Sequence, residues 1–188
     1  MPYYPRVPGE RLYLSPMDPD DAPKYAEWMN DPELGILLQV VGKPVSVAAE
    51  REWIEKNAKD QYQFSIVDKK SNKLIGACGL KDVDLVNRTA LMGIFLGDRK
   101  HWGKGYGEEA TRLLVDFAFT FVNLRTIMLE VFDFNPRAIR CYEKVGFKHV
   151  GRRRCSKLLG DKCYDEVLMD ILAEEFEGSI LKGLLPEA

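Results

Sequence analysis

The chain has 188 residues, 46% apolar and 30% charged, which is enough for one domain with a full core. A net charge of −2 and a pI of about 5.8 give no electrostatic footprint for nucleic acid or an anionic membrane surface. No apolar run approaches the length of a membrane span, and MPYYPRVPGER lacks the apolar stretch of a secretory signal. The cysteines Cys78, Cys141, Cys155 and Cys163 form no C-x-x-C pair and have no histidine at metal-ligand spacing. Neither a zinc site nor a disulfide framework is therefore expected. Reduced thiols in a cytoplasmic protein are, with Cys155 and Cys163 facing each other only incidentally.

Residues 1–10 read as an extended, proline-rich arm, and Arg11–Ser15 as a short strand. Asp18, Asp20 and Asp21 with Pro19 and Pro23 supply N-cap and first-turn chemistry for a helix. Its apolar face is Ala22, Tyr25, Ala26 and Met29, and Asn30-Asp31-Pro32 breaks it. Residues 33–45 have no readable period. Val47–Lys59 reads as a second helix capped by Ser46, with Trp53 and Ile54 buried. Tyr62–Asp68 and Lys73–Val83 flank a turn at Lys69–Asn72 as a hairpin. Gly76 and Gly79 within its second strand imply a bulge or a close backbone neighbour.

After a turn at Val86-Asn87 comes the stretch that organises the chain. Ala90–Leu96 is a short apolar strand. From Ala110, the residues Leu113, Leu114, Phe117, Ala118 and Phe121 recur at helical spacing, with Glu108, Glu109, Arg112 and Asp116 on the other side. Gly103, Gly105 and Gly107 lie between strand and helix. Glycines there admit close approach of a ligand, and the helix start offers N–H groups and a favourable dipole to an anion. Thr126–Phe132 is the next strand, and strand-helix-strand implies a parallel pair with a right-handed crossover. Asn135-Pro136 starts another helix whose inward positions are Ala138, Ile139, Tyr142 and Val145, with Gly146 at C′. Phe147–Ser156 and Lys162–Leu172 form a last hairpin, in which Arg152-Arg153-Arg154 reads as a solvated strand end. The tail from Glu174 has no evident place.

The order of elements, the turn HWGKGYG and the segment NPRAIRCYEKVGF together resemble the GNAT superfamily of acetyl-CoA-dependent N-acetyltransferases. The resemblance covers roughly residues 10 to 172. The loop signature Q/R-x-x-G-x-G/A falls on Trp102-Gly103-Lys104-Gly105-Tyr106-Gly107, with Trp102 replacing the Gln or Arg. That substitution, together with ERLYLSPMDPDDAPKYAEWMNDPEL and GDKCYDEVLMDIL, is similar to the branch of ribosomal-protein N-terminal and spermidine N-acetyltransferases. The fold implied is α/β (α+β): a mixed, mostly antiparallel sheet with a splayed parallel strand pair and flanking helices. Residues 1–10 would be an arm, 11–173 the acetyltransferase domain and 174–188 a tail.

The resemblance also implies site residues. The pyrophosphate of CoA would sit on the N–H groups of Trp102, Gly103, Lys104, Gly105, Tyr106 and Gly107. The pantetheine arm would pair with the backbone of Ile94, Phe95 and Leu96. Asn135 matches a residue near the pantetheine amide and the sulfur, and Tyr142 matches the tyrosine that bonds the departing thiolate. Transfer needs a neutral amine, a donor for the oxyanion (the Phe95 or Leu96 N–H) and a donor for the thiolate. Many relatives carry a glutamate where this chain has Leu91. Glu130, Asp84 and Asp133 are the substitutes considered for the base, beside base-free capture of the neutral amine. The acceptor is a protein N-terminus, a polyamine or another small amine, with homo-oligomerisation left open and no metal, nucleic acid or membrane partner. A CoA-binding module without transferase activity is the alternative.

Overall fold

The computed structural model describes residues 3–38, 40–57 and 62–186. Its strands are β1 (Val7–Pro8), β2 (Leu12–Pro16), β3 (Gln63–Asp68), β4 (Lys73–Asp84), β5 (Thr89–Leu96), β6 (Thr126–Phe132), β7 (Lys148–Leu159) and β8 (Lys162–Leu172). Its helices are α1 (Ala22–Met29), α2 (Pro32–Leu37), α3 (Val47–Asn57), α4 (Tyr106–Thr120) and α5 (Pro136–Val145). In hydrogen-bonding order the strands run β1-β2-β3-β4-β5-β6-β8-β7. The chain divides into two compact units, Met1–Gly79 with Ile94–Ala110, and Leu80–Gly93 with Thr111–Ala188.

In the first unit β2, β3 and β4 form an antiparallel ladder, and the expected arm contributes β1, which pairs Val7 with Leu14. Tyr25, Trp28, Leu34, Ile54, Leu74 and Ala77 make the apolar core, with Phe95 and Trp102 packed on it. Trp28 and Tyr25 meet the Phe95 ring edge-on at 6.0 and 6.2 Å. The expected face of α1 holds for Ala22, Tyr25 and Ala26, but it missed Trp28, which is 4% exposed. Asp31 does more than end α1. Its carboxylate accepts from the Glu33 and Leu34 N–H groups and starts α2, inside the segment that had no readable period. Ser46 caps α3 as expected through the Ala49 N–H. Ile54 is buried, whereas Trp53 is 42% exposed, a correction to the expected face. The expected last residues of that helix, 58–59, lie outside the described residues.

Both readings of Gly76 hold. The ladder pairs Ile66 with Gly76 and Val67 with Leu74, so Ile75 is an extra residue on β4. A Cβ on Gly76 would stand 2.2 Å from the Phe95 carbonyl oxygen, so the close neighbour is β5 itself. The bulge matters beyond β4, because the Ile75 carbonyl accepts from the Gly97 and Asp98 N–H groups and so anchors the chain leaving β5.

In the second unit β5 and β6 are parallel, as the strand-helix-strand order requires, with pairs from Thr89↔Thr126 to Leu91↔Met128. β6 and β8 are antiparallel over Thr126↔Leu172 to Phe132↔Glu166. Ala110, Leu113, Leu114, Phe117 and Ala118 of α4 are buried as expected, while Phe121 lies past the helix end and is exposed. Asp116, expected on the polar side, is only 2% exposed and is the larger correction. Its carboxylate accepts from the Ile180 N–H at 2.8 Å, the Leu181 N–H at 3.0 Å and the Ser179 and Thr120 hydroxyls. That is where the tail goes.

The β7–β8 hairpin corrects two further expectations. Between Arg153↔Glu166 and Lys157↔Tyr164 three residues of β7 oppose one of β8, forming a bulge with Cys155 at φ +51°. Asp165 fills it by accepting from the Cys155 N–H at 2.8 Å. The bulge brings Cys155 to a Cα–Cα distance of 5.1 Å from Cys163, and the two are joined as a disulfide rather than held as reduced thiols. Arg152 and Arg153 are not merely solvated: Arg152 pairs with Asp165 at 3.2 Å, and Arg153 with Glu130 at 2.8 Å and Glu166 at 2.9 Å.

Candidate functional site

Chain leaving β5 is turned by Asp98, whose carboxylate caps a single 3-10 turn, Arg99–His101, through the Lys100 N–H. Trp102 follows and packs on the core of this unit: its indole N–H donates to the Leu96 carbonyl at 2.8 Å, tying the turn to the end of β5. Gly103 and Gly105 both take positive φ, +69° and +83°, a conformation that strains any residue with a Cβ. Nothing lies within 4 Å of where a Gly103 Cβ would stand, so that side of the turn is open. Tyr106 and Gly107 are the first two residues of α4, whose opening N–H groups have no acceptor within the helix. Open glycine backbone ahead of a helix N-terminus fits a pyrophosphate.

A polar ring braces the turn from within the same unit. Tyr106 Oη donates to Asp68 at 3.2 Å, and its ring meets His101 edge-on at 4.7 Å. Burial alone would raise the Asp68 carboxyl, but bonds from the Ser71 hydroxyl, the Ser71 N–H and Tyr106 hold it below the ordinary carboxylate value. Burial and the Asp68 charge push the Tyr106 phenol up, so it remains a donor. Arg11, immediately before β2, donates to the Lys104 carbonyl at 2.7 Å and pairs with Glu109 at 2.9 Å. Nothing in the sequence marks Arg11, because a contact spanning 93 residues leaves no periodic trace.

Ile94, Phe95 and Leu96 close β5 in the same unit, each half-buried. The parallel ladder with β6 stops at Leu91↔Met128, short of the C-terminal half of β5.

The scaffold and the turn are those of a known family. Residues 11–148 match the model of the acetyltransferase (GNAT) domain. The chain belongs to the GNAT acetyltransferases. An uncharacterized N-acetyltransferase p20 of Bacillus licheniformis is 30% identical over 90% of this chain and 97% of that protein. The spermidine N(1)-acetyltransferase of Vibrio cholerae is 28% identical over 65% of this chain and 69% of its own length. The crystal structure of spermidine N-acetyltransferase from Vibrio cholerae, in complex with CoA and spermine, superposes with a TM-score of 0.80. It covers 89% of this chain and 99% of that one at 24% identity. The fold is therefore the GNAT fold, and the chain is an acetyltransferase-family enzyme.

The remaining expected residues of this GNAT chain lie on α5 in the second unit. Asn135 is its N-cap, with Oδ1 accepting from the Ala138 N–H at 3.2 Å, and Pro136 occupies the first turn. Gly146 ends the helix in the left-handed region at φ +114°, the C′ role expected of it. Tyr142 is 9% exposed, with its ring 5.9 Å from Phe147, and burial pushes its phenol well above the usual tyrosine value. Cys141 is half-buried, and Cys78 is buried with its thiol pushed up by desolvation, so Cys78 is no ready nucleophile.

Leu91, where many relatives carry a glutamate, is half-buried on β5. The three carboxylates considered in its stead differ. Asp84 is fixed in the turn after β4, where bonds from the Asn87 N–H and side chain hold it below the ordinary carboxylate value. Glu130 is paired with Arg153. Asp133, just past β6, has a buried Oδ1 without a hydrogen-bond partner.

Proposed function

We propose that this enzyme transfers the acetyl group of acetyl-CoA to a primary amine by direct attack in a ternary complex. The observation that carries the reading is the open, positive-φ glycine turn at the start of α4. The backbone of Gly103 through Gly107 holds the pyrophosphate, with Trp102, whose own N–H donates to the Arg99 carbonyl at 3.1 Å, fixing the start of the turn, and the backbone of Ile94, Phe95 and Leu96 takes the pantetheine arm as an extra strand. The Phe95 or Leu96 N–H donates to the oxyanion that develops on attack. Asn135 serves the pantetheine amide and the sulfur. Tyr142 donates a hydrogen bond to the departing thiolate. Its raised pKa keeps the phenol protonated at neutral pH, so it stabilises that charge without surrendering its proton.

The amine arrives mostly protonated, since the alkylammonium reference pKa is about 10.4. Asp133 accepts that proton, directly or through water; the reading is supported by its buried Oδ1, which has no hydrogen-bond partner while Oδ2 faces Arg152 at 3.7 Å. The acceptor is a small amine of the polyamine class. This reading draws support from the spermidine N(1)-acetyltransferase relative. The test is free-thiol release from acetyl-CoA across a panel containing spermidine, a monoamine and a peptide with a free N-terminus. Release that depends on spermidine is expected, and release with the peptide alone would move the acceptor to protein N-termini. Acetyl-CoA binding without release under any amine would overturn the transferase and leave a CoA-binding module.

A further inference from the structure

The first turn of α4 carries Glu108 and Glu109. Acidic residues there complement the helix dipole, yet they also stand at the end where an anionic ligand must bind. Glu109 is disarmed from outside the helix. Its Oε2 accepts from Arg11 Nε at 2.9 Å, and its Oε1 accepts from the Arg11 N–H at 2.8 Å and the Leu12 N–H at 3.3 Å. The Glu109 side chain keeps only 14% of its exposure. The same guanidinium donates through Nη1 to the Lys104 carbonyl at 2.7 Å and lies 4.8 Å over the Tyr106 ring. Its Nη2 stands 3.0 Å from where a Gly105 Cβ would be.

We propose that Arg11 is the positioning residue of the anion-binding turn, acting on Glu109 and on the Lys104–Gly105 peptide together. This rests on the reading of the turn as a CoA pyrophosphate site. In a trans peptide the carbonyl and the following N–H point in opposite directions. Holding the Lys104 carbonyl against Arg11 therefore aims the Gly105 N–H away from Arg11. Neutralising Glu109 removes the like charge that would otherwise face the phosphates. A lysine keeps the charge but lacks the planar fork that meets both partners at once.

Calorimetric CoA binding and acetyl-CoA kinetics of Arg11→Ala, Arg11→Lys, Glu109→Gln and the double variant Arg11→Ala/Glu109→Gln test the proposal. Arg11→Ala is expected to weaken CoA binding about tenfold and to raise KM for acetyl-CoA with kcat nearly unchanged, a charge-assisted contact's worth. 3′-Dephospho-CoA, which retains the pyrophosphate, should lose the same factor. Arg11→Lys should fall between wild type and Arg11→Ala, Glu109→Gln should bind CoA at least as tightly as wild type, and the double variant should regain affinity relative to Arg11→Ala. Wild-type affinity in Arg11→Ala, or a kcat loss without a KM rise, would overturn the role of Arg11 alone. Failure of the wild type to bind CoA would overturn the pyrophosphate reading itself. Should Arg11→Ala not fold, Arg11→Lys decides: CoA affinity equal to wild type contradicts the proposal.

Discussion

Leu91 cannot take a proton, and the consequence falls on Asp133. Asp84 spends both oxygens on its turn and Glu130 holds Arg153 through Oε1, whereas Asp133, with Oδ2 3.7 Å from Arg152, keeps a buried Oδ1 without a hydrogen-bond partner. A buried acceptor without a donor is costly, which makes it an opening for an ammonium or a bound water. Replacing Asp133 by Asn is therefore expected to lower kcat by about tenfold or more at neutral pH, since general-base contributions run on the order of a hundredfold. Raising the pH should narrow the gap, because the neutral amine fraction then grows without help. A pH profile of kcat for the two proteins checks this, and a gap constant to pH 9 would remove Asp133 from proton transfer. Single residues were also where sequence reading was sharpest and blindest. Asn135 and Gly146 were legible because capping is local chemistry. Arg11 and the burial of Asp116 were not, because each depends on a partner far along the chain.

At the scale of elements, helix α4 serves two masters. Its first turn follows the glycine turn proposed as the anion site, and its middle holds the C-terminal segment through Asp116. Four donors converge on that one carboxylate, two of them backbone N–H groups of Ile180 and Leu181. The periodicity of α4 placed Asp116 on the polar side, and nothing local announced that residues 179–181 would cover it. Asp116→Ala removes the acceptor and strands those N–H groups, so it should destabilise the protein by about 2–3 kcal/mol. The tail should open with it. Chemical denaturation and hydrogen exchange at Ile180 and Leu181 measure the two effects, and unchanged protection of those amides would show that Asp116 does not hold the tail. α2 escaped reading for a related reason: six residues carry too little period, and only the Asp31 cap marked its start. The facing of Cys155 and Cys163 was legible, but not their bond, which depends on the bulge that brings their Cα atoms to 5.1 Å.

Across the whole molecule, most of the architecture was legible, because strand-helix-strand patterning, turn glycines and capping residues all agreed. The parallel β5–β6 pair, the two hairpins and the order of elements follow from those signals. The glycine turn and helix start proposed to hold CoA were legible with them, since both are local backbone features. The β7–β8 bulge and the ion pairs of Glu130 and Asp133 were not, because they form only between strands after folding. On the proposed mechanism this GNAT enzyme moves an acetyl group off CoA while Tyr142 donates a hydrogen bond to the departing thiolate. The most direct measurement is Tyr142→Phe, read at once for acetyl-CoA affinity and for turnover with an amine that the wild type acetylates. The expected result is turnover lowered by about tenfold or more, as for loss of a single oxyanion donor, with affinity near wild type. Turnover equal to the wild type would contradict it.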